Sequence, residues 1–332
     1  MGQSPAASID TAQAINVRRA IPLLALTLAL LPGADMRADE GGVSFWLPGQ
    51  YASFAATPGQ PGWSLPITLY YYNGNASASK TFSRGDALNV GLDSQGPLFM
   101  LSPTWVPDQT LFGGQLSLSL TFGYGWNSTQ ANLSLLPSSA SVNRGDTDAG
   151  GTDLYPLASL AWSSGVNNWM VYVTGDLPVG SYSSTRLSNI GIGHTAVDIG
   201  GAYTYLNTNS GFEASATLGV TYNGMNSSTN YQNGVDSHLD WDLSRLLPAN
   251  WQVGVAGYVY YQLTGDSGSG DHVGSFKSRV ASIGPEVGYT FTVGGQQWYA
   301  NLRGYWEFWT QNRLEGYAIF ATVNIPLGPV KK

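Results

Sequence analysis

The feature that most constrains the fold is a period-two alternation of side chains in Asn250 to Thr264, NWQVGVAGYVYYQLT. Successive side chains of an extended strand point to opposite faces, so this pattern separates two sets of residues. The apolar set is Trp251, Val253, Val255, Val259, Tyr261 and Leu263. The set that tolerates water is Gln252, Gly254, Ala256, Tyr258, Tyr260 and Gln262. The same pattern recurs at similar length to the end of the chain, which indicates repeated strands of one outer-membrane β-barrel.

The alternation predicts about twelve strands, an even number as in single-chain bacterial barrels. They run over residues 63–75, 87–106 (bent at Gly96 and Pro97), 114–126, 153–162, 169–176, 194–207, 211–223, 235–246, 251–264, 277–293, 297–309 and 314–325. In residues 114–126 and 211–223, Leu, Val and Phe share one face, and Ser, Thr, Asn and a carboxylate share the other. An apolar outside with a polar inside is the reverse of a soluble barrel. The predicted fold is therefore all-β, a transmembrane antiparallel up-and-down β-barrel.

The predicted connections alternate in length. With both termini in the periplasm, the extracellular connections are residues 76–86, 127–152, 177–193, 224–234, 265–276 and a short 310–313. The periplasmic ones are the shorter 107–113, 163–168, 208–210, 247–250 and 294–296. Long loops on one side and short turns on the other are typical of outer-membrane barrels. Trp298 near one end of its strand, with Trp306 and Phe308 near the other, indicates two interfacial aromatic girdles.

The first 38 residues have the pattern of a cleaved signal peptide. Arg18 and Arg19 precede a twelve-residue apolar run from Ala20 to Leu31, and small residues follow up to Ala38. This run is too short to span a bilayer as a helix, and a positive flank before an apolar core is the order expected for export. We expect cleavage after Ala38, although Met36 at the minus-three position fits poorly. The chain is then exported through the periplasm of a Gram-negative cell.

Charge and composition exclude several classes of protein. The leader holds three of the 14 basic and two of the 21 acidic residues, so the remaining chain has a net charge of about −8, which argues against nucleic acid as a partner. There is no cysteine and there are three histidines, so we expect no disulfide and no metal or other cofactor. Charged residues make up 11% of the chain, against about a quarter in an ordinary soluble domain. The expected partners are outer-membrane lipid and a small-molecule solute.

Residues 39–62 form a separate segment ahead of the barrel, which we place at residues 63–332. Prolines and glycines are dense in Gly41 to Trp63, GGVSFWLPGQYASFAATPGQPGW, which makes a continuous strand improbable. The segment could lie inside the barrel or cover its periplasmic mouth. A loose periplasmic leader is an equal alternative, because termini are mobile unless something holds them.

Several sequence runs resemble one family of outer-membrane proteins, the "putative meta-pathway of phenol degradation" family. They are TGDLPVGSYSSTRLSNIGIGH (174–194), TYNGMNSSTNYQNGVDSHLDW (221–241), DSGSGDHVGSFKSRVASIGPEVGY (266–289) and the leader-proximal SFWLPGQYASFAATPGQPGW. The resemblance covers nearly all of the chain after the signal peptide. It implies transport associated with aromatic catabolism and carries no catalytic residues. Glu286 stands where an amide is expected in this family.

Residues that act on a solute are expected on the inward face of the barrel. The densest polar cluster is Asp236, His238, Asp240 and Asp242, which share one face of their strand. Other strands supply the further lumen candidates Glu213, Glu286, Tyr299, Arg303, Tyr305 and Glu307. Closely spaced carboxylates repel one another unless water, a cation or a basic group intervenes. The cluster is either an acidic wall that disfavours anions or binds a cation, or a hydrogen-bonded network that braces the barrel.

An enzyme is the alternative from a different class. Asp236 with His238 is similar to the acid and histidine pair of outer-membrane barrel proteases, and Asp146, Asp148 or Asp153 could supply the second acid. A serine hydrolase that uses His238 is a further option. An isolated Asp-x-His on a polar barrel face is more often structural.

The function that the sequence predicts is an outer-membrane channel or transporter, for uptake of small hydrophobic or aromatic compounds. One alternative is a general small-solute porin or a purely structural barrel. The other is a barrel hydrolase that uses Asp236 and His238. The family resemblance favours aromatic solutes, and the polar inward residues favour hydrophilic ones.

Overall fold

The computed structural model of the protein describes residues 44–81, 87–136, 140–271 and 275–328. The predicted signal peptide lies outside these residues. The described part of the chain holds fifteen β-strands and one short 3₁₀ turn, Pro248–Asn250. The strands are β1 Gly62–Thr81, β2 Ala87–Leu101, β3 Thr104–Val106, β4 Thr110–Leu111, β5 Gly114–Leu136, β6 Ala140–Gly151, β7 Tyr155–Ser164, β8 Asn167–Asp176, β9 Ala196–Asn207, β10 Phe212–Asn223, β11 Asp236–Leu246, β12 Trp251–Gln262, β13 Arg279–Val293, β14 Gln296–Gln311 and β15 Glu315–Pro326.

The strands form one closed antiparallel barrel. Each long strand pairs with its neighbours in sequence, and β15 pairs with β1 from Ser64↔Pro326 to Asn75↔Glu315, which closes the sheet. β2 and β3 follow one another along a single strand position of the barrel, between β1 and β5. β6 and β7 likewise share the next strand position after β5. β4 pairs only with the start of β5 and lies in a turn. The barrel therefore has twelve strand positions, which confirms the predicted fold. Closure leaves no unpaired edge within the membrane, where an unsatisfied backbone group is costly.

Alternation along each strand sets the inside and the outside of the barrel. On β12, Trp251, Val253 and Val255 are exposed, whereas Tyr258 and Tyr260 are at most 1% exposed. On β10, Leu218 is 60% exposed and its neighbour Thr217 is fully buried. The exposed Leu, Val and Ile side chains form the lipid-facing surface, as expected for an outer-membrane barrel.

The described residues contain no helix that is long and apolar enough to cross a membrane.

Two of the loop predictions were wrong. Residues 76–86 and 127–152 were expected to be irregular, but β1 extends to Thr81, β5 extends to Leu136 and β6 covers Ala140–Gly151. These extensions continue the β1–β2–β5–β6 ladder beyond the other strands. Outside the bilayer both faces of a hairpin meet water, so its strands need no apolar face. The period-two signal on which the prediction depended is therefore missing there.

The predicted strand 87–106 is divided in two. β2 ends at Leu101 and β3 begins at Thr104, and Pro103, which cannot donate to a ladder, lies between them. The ladder between β2 and β5 also omits the pairs at Gly96 and Pro97, where a bend was predicted.

Neighbouring positions on β5 test the assignment of the two faces. Leu118 is exposed on the lipid side, and Ser119 lines a cavity inside the barrel. We expect Leu118→Arg to destabilise the barrel by roughly 2 to 4 kcal/mol near the bilayer midplane and Ser119→Arg to cost much less. Unfolding of both variants in lipid vesicles, followed by tryptophan fluorescence, measures the difference. Equal losses of stability would contradict the assignment.

Candidate functional site

The segment Ser44–Gly59 enters the barrel and occupies part of its lumen. Trp46, Ala52 and Ala56 are buried, at 4% exposure or less. Ala52 packs in a cluster with inward side chains of β12, β14 and β15, and Trp46 and Ala56 pack in a second cluster with side chains of β7, β8 and β9. We call Ser44–Gly59 the luminal segment. The sequence left open whether this segment lies inside the barrel, covers its periplasmic mouth or is a loose leader. The described residues of the segment lie inside the barrel.

The backbone of the luminal segment binds acidic side chains of the barrel wall. Asp240 accepts hydrogen bonds from the N–H groups of Gly49 (2.9 Å) and Tyr51 (3.2 Å). Glu213 accepts from the N–H of Phe54 at 3.0 Å. An irregular segment without a pairing strand leaves its N–H groups without partners, and each buried donor needs an acceptor. The wall carboxylates supply those acceptors.

Neutral groups of the wall add to this contact. The Thr204 hydroxyl accepts from the N–H of Ala56 at 3.0 Å. The Ser53 hydroxyl donates to Glu286 at 2.6 Å. The Tyr305 hydroxyl donates to the carbonyl of Gly49 at 3.1 Å. Backbone donors and acceptors of the segment are thus matched by opposite groups on several strands, which fixes its position along the barrel.

Gly49 is required at its position for two reasons. Its φ of +83° lies in the left-handed region, which favours glycine. An added Cβ would also come within 2.9 Å of the rings of Tyr305 and Tyr258. Any side chain at this position would push the segment away from Asp240.

His238 lies beneath the luminal segment. Its Nε2 is 3.1 Å from Asp198 and 3.2 Å from the Tyr172 hydroxyl, and the ring of Trp46 stacks on the imidazole with 3.5 Å between centroids. Asp236, predicted as the partner of His238, accepts a hydrogen bond from Asn223 at 2.7 Å. The histidine is 2% exposed and its carboxylate contact is Asp198. Sequence reasoning missed Asp198, although its inward position on β9 was readable from the alternation.

The three acids proposed as a second catalytic group instead contact the connection 177–193, which is predicted to be extracellular. Asp146 accepts from the N–H of Leu187 at 2.8 Å, and Asp148 forms an ion pair with Arg186. Asp153 accepts from the N–H groups of Gly180 (2.7 Å) and Ile192 (2.8 Å). These contacts tie residues 177–193 to the barrel.

The other predicted lumen residues are distributed around the segment. Glu307 accepts hydrogen bonds from the hydroxyls of Tyr72 and Tyr258, each at 2.8 Å. Tyr299 donates to Gln252 at 2.5 Å, and Asp242 lies across the ladder from Ser215 and Ala256. Within the described ranges, no group of three or more His, Asp or Glu side chains is arranged to hold a metal ion.

Two cavities remain beside the luminal segment. The larger has a volume of about 430 Å³ and the smaller about 90 Å³, and Leu47 lines both. The barrel wall of the larger cavity carries apolar side chains such as Met100, Leu157, Met170 and Phe320 together with nine Ser and Thr hydroxyls, those of Thr68, Ser102, Thr104, Ser117, Ser119, Thr121, Ser159, Thr174 and Thr322. The segment contributes Phe45, Tyr51 and Ala55 to its opposite side. Burial raises the pKa of the Tyr51 hydroxyl, and the nearby carboxylates of Asp240 and Asp198 add to that shift, so this side of the cavity is neutral.

Most of the ten predicted lumen residues line neither cavity. Of the ten predicted lumen residues, Arg303 lines the larger cavity and Glu307 the smaller one. Asp240, Glu213 and Glu286 instead contact the segment, as described above. Whether any of the ten residues acts on a solute stays a prediction.

The contact between Asp240 and the segment can be tested electrically. Asp240→Asn removes the charge that accepts two N–H groups and turns an amide donor toward the segment, so we expect the segment to leave the lumen more often. Single-channel recordings in planar bilayers should show larger or more frequent openings than the wild type. Asp93→Asn, an exposed position on β2, is the matched control. Identical recordings for the wild type and Asp240→Asn would mean that Asp240 does not hold the segment.

Comparison with known proteins agrees with this architecture. A crystal structure of the COG4313 outer membrane channel from Pseudomonas putida F1 is similar, with a TM-score of 0.56, 13% identity, and coverage of 85% of this chain and 100% of that chain. A Pseudomonas aeruginosa FadL homologue (TM-score 0.42, 8% identity, 87% and 98% coverage) and the transport unit of the autotransporter AIDA-I from Escherichia coli (0.44, 9%, 81% and 91%) are more distant. No curated protein matches the sequence.

The fold is that of an outer-membrane β-barrel, and the protein is located in the bacterial outer membrane. The family model described as "Putative MetA-pathway of phenol degradation" matches residues 78–323. The chain belongs to this family, which confirms the resemblance noted in its sequence.

Proposed function

We propose that the protein conducts small, neutral, weakly polar solutes, aromatic compounds among them, across the outer membrane through the larger cavity. The observation that supports this most strongly is the lining of that cavity. Ser and Thr hydroxyls together with apolar side chains such as Met100, Leu157 and Phe320 line the barrel side, Phe45, Leu47 and Tyr51 line the segment side, and none of the predicted acidic candidates lines the cavity. Such a surface suits a molecule with an apolar body and one or two hydrogen-bonding groups.

The size of the free space favours this proposal over a general porin. A wide aqueous channel needs an open lumen, whereas here Ser44–Gly59 takes up part of it. The remaining 430 Å³ is within the range of ordinary small-molecule sites. A solute that moves between the two cavities must also pass Leu47, which lines both.

The hydrolase alternative has less support. His238 lies under the stacked ring of Trp46, so a substrate would have to displace that ring to reach the imidazole. The candidate second acids are engaged by the loop 177–193.

Leu47 offers a test of this route. Leu47→Trp should narrow the passage between the cavities and reduce uptake of radiolabelled phenol several-fold in intact cells that lack other porins. Leu47→Ala should leave uptake equal to or greater than that of the wild type. Leu118→Trp, which adds the same side chain on the lipid face, is the control and should leave uptake unchanged.

The result is interpretable because all three variants can be compared at equal amounts of folded barrel, measured by heat-modifiable mobility in gels. Uptake that is the same in Leu47→Trp and Leu118→Trp would contradict a route through the lumen. Uptake in the wild type that does not exceed that of cells without the protein would contradict the proposed function itself.

A further inference from the structure

Arg303 is a buried arginine of the lumen that forms no ion pair with the described residues. It is 8% exposed, and no Asp or Glu oxygen of the described residues lies within 4.0 Å of its guanidinium. Its Nη2 donates to the carbonyl of Gln50 at 3.3 Å, and its Nε has no hydrogen-bond partner. A buried charge is costly unless it is paired, so an arginine in this state is not explained by the stability of the barrel.

The direction of this guanidinium is defined by its neighbours. It lies over the ring of Phe320, 5.2 Å from the centroid, and among the described lining residues of the larger cavity Arg303 alone is charged. Its cross-strand neighbour Glu286 accepts hydrogen bonds from Ser53 and Asn301 instead. Asp240 accepts from the backbone of the luminal segment. Neither carboxylate comes within 4.0 Å of the guanidinium, so among the described residues Arg303 donates only to Gln50 and lines the cavity without a counter-ion.

Further groups beside Arg303 complete a possible binding site. Thr322 and Thr68 are hydrogen-bonded to each other at 3.1 Å, and both line the same cavity as Arg303. The ring faces of Phe320 and Tyr51 add apolar surface to it. A planar guanidinium with several donors matches the two oxygens of a carboxylate, and hydroxyls can donate to the same oxygens.

We propose that Arg303 forms a carboxylate-binding subsite in the larger cavity, specific for small monocarboxylic acids with an apolar or aromatic body. The carboxylate pairs with the guanidinium, and the body packs between the ring faces and the hydroxyl-bearing wall. This inference rests on the proposed function, because the solute must reach the cavity, and it extends the proposed solutes from neutral compounds to carboxylate anions. It adds a specificity that an uncharged cavity lining would not provide.

Benzoate and benzamide make a matched pair of probes. They have nearly the same shape and size, but only benzoate carries a negative charge at neutral pH. Equilibrium dialysis of each radiolabelled compound against the purified full-length protein in a nonionic detergent, with detergent alone as blank, gives the bound fraction without requiring transport. We expect the wild type to bind benzoate at least about tenfold more tightly than benzamide.

Variants of Arg303 show whether the preference comes from this side chain. Arg303→Gln should remove the preference by weakening benzoate binding about tenfold or more and leaving benzamide binding unchanged. Arg303→Lys keeps the charge but loses the planar fork, so it should retain part of the preference. Arg245→Gln, the same change at an exposed position at the end of β11, should bind both probes as the wild type does.

Two outcomes would overturn the inference. One is equal binding of benzoate and benzamide by the wild type. The other is an equal loss of affinity for both probes in Arg303→Gln, which would indicate a general structural role for the arginine. Thermal unfolding of each variant by circular dichroism separates such a role from simple misfolding. The dialysis assay measures binding and the phenol assay measures uptake, so the two results are independent. A negative binding result would not change the conclusion from phenol uptake, and a negative uptake result would not change the conclusion from binding.

Discussion

The arrangement of the lumen depends on one constraint, that every buried backbone N–H needs an acceptor. The luminal segment crosses the inside of a closed barrel without pairing to any strand, so its N–H groups cannot be satisfied by a ladder. Asp240, Glu213 and Thr204 provide acceptors on the wall, and Tyr305 provides a donor for the carbonyl of Gly49. Segment and wall are therefore complementary in their polar groups.

This complementarity also determines where free space remains. The segment binds the acidic side of the barrel on β10, β11 and β13 and packs against β7, β8 and β9, and it leaves much of the hydroxyl-bearing wall of β1, β3 and β5 uncovered. Asp240, Glu213 and Glu286 bind the segment, and neutral Ser and Thr residues face the cavity. A chain with few charged residues can thus form a cavity that is polar without being strongly charged, apart from Arg303.

Most of the barrel could be predicted from the sequence because lipid and lumen impose opposite demands on alternate residues. The pattern in residues 251–264 gave both faces of β12 correctly. It failed for the hairpin extensions of β5 and β6, where water surrounds both faces and no alternation is required. The site was less predictable. Alternation identifies inward residues such as Asp240 and Arg303, but it cannot tell which of them contacts the luminal segment and which faces free space. Phe54 and Gly49, with φ of 61° and 83°, place that segment by local backbone geometry that leaves no periodic signal.

Cysteine labelling shows whether the luminal segment lies docked inside the barrel. The chain has no cysteine of its own, so a single introduced thiol reports on one position. Ala56 is fully buried and Gln60, four residues on, is exposed. In the folded protein in detergent, Gln60→Cys should react rapidly with a polar maleimide, and Ala56→Cys should react at least about tenfold more slowly until denaturant is added. Equal and rapid labelling at both positions would show that the segment is outside the lumen and would contradict this account.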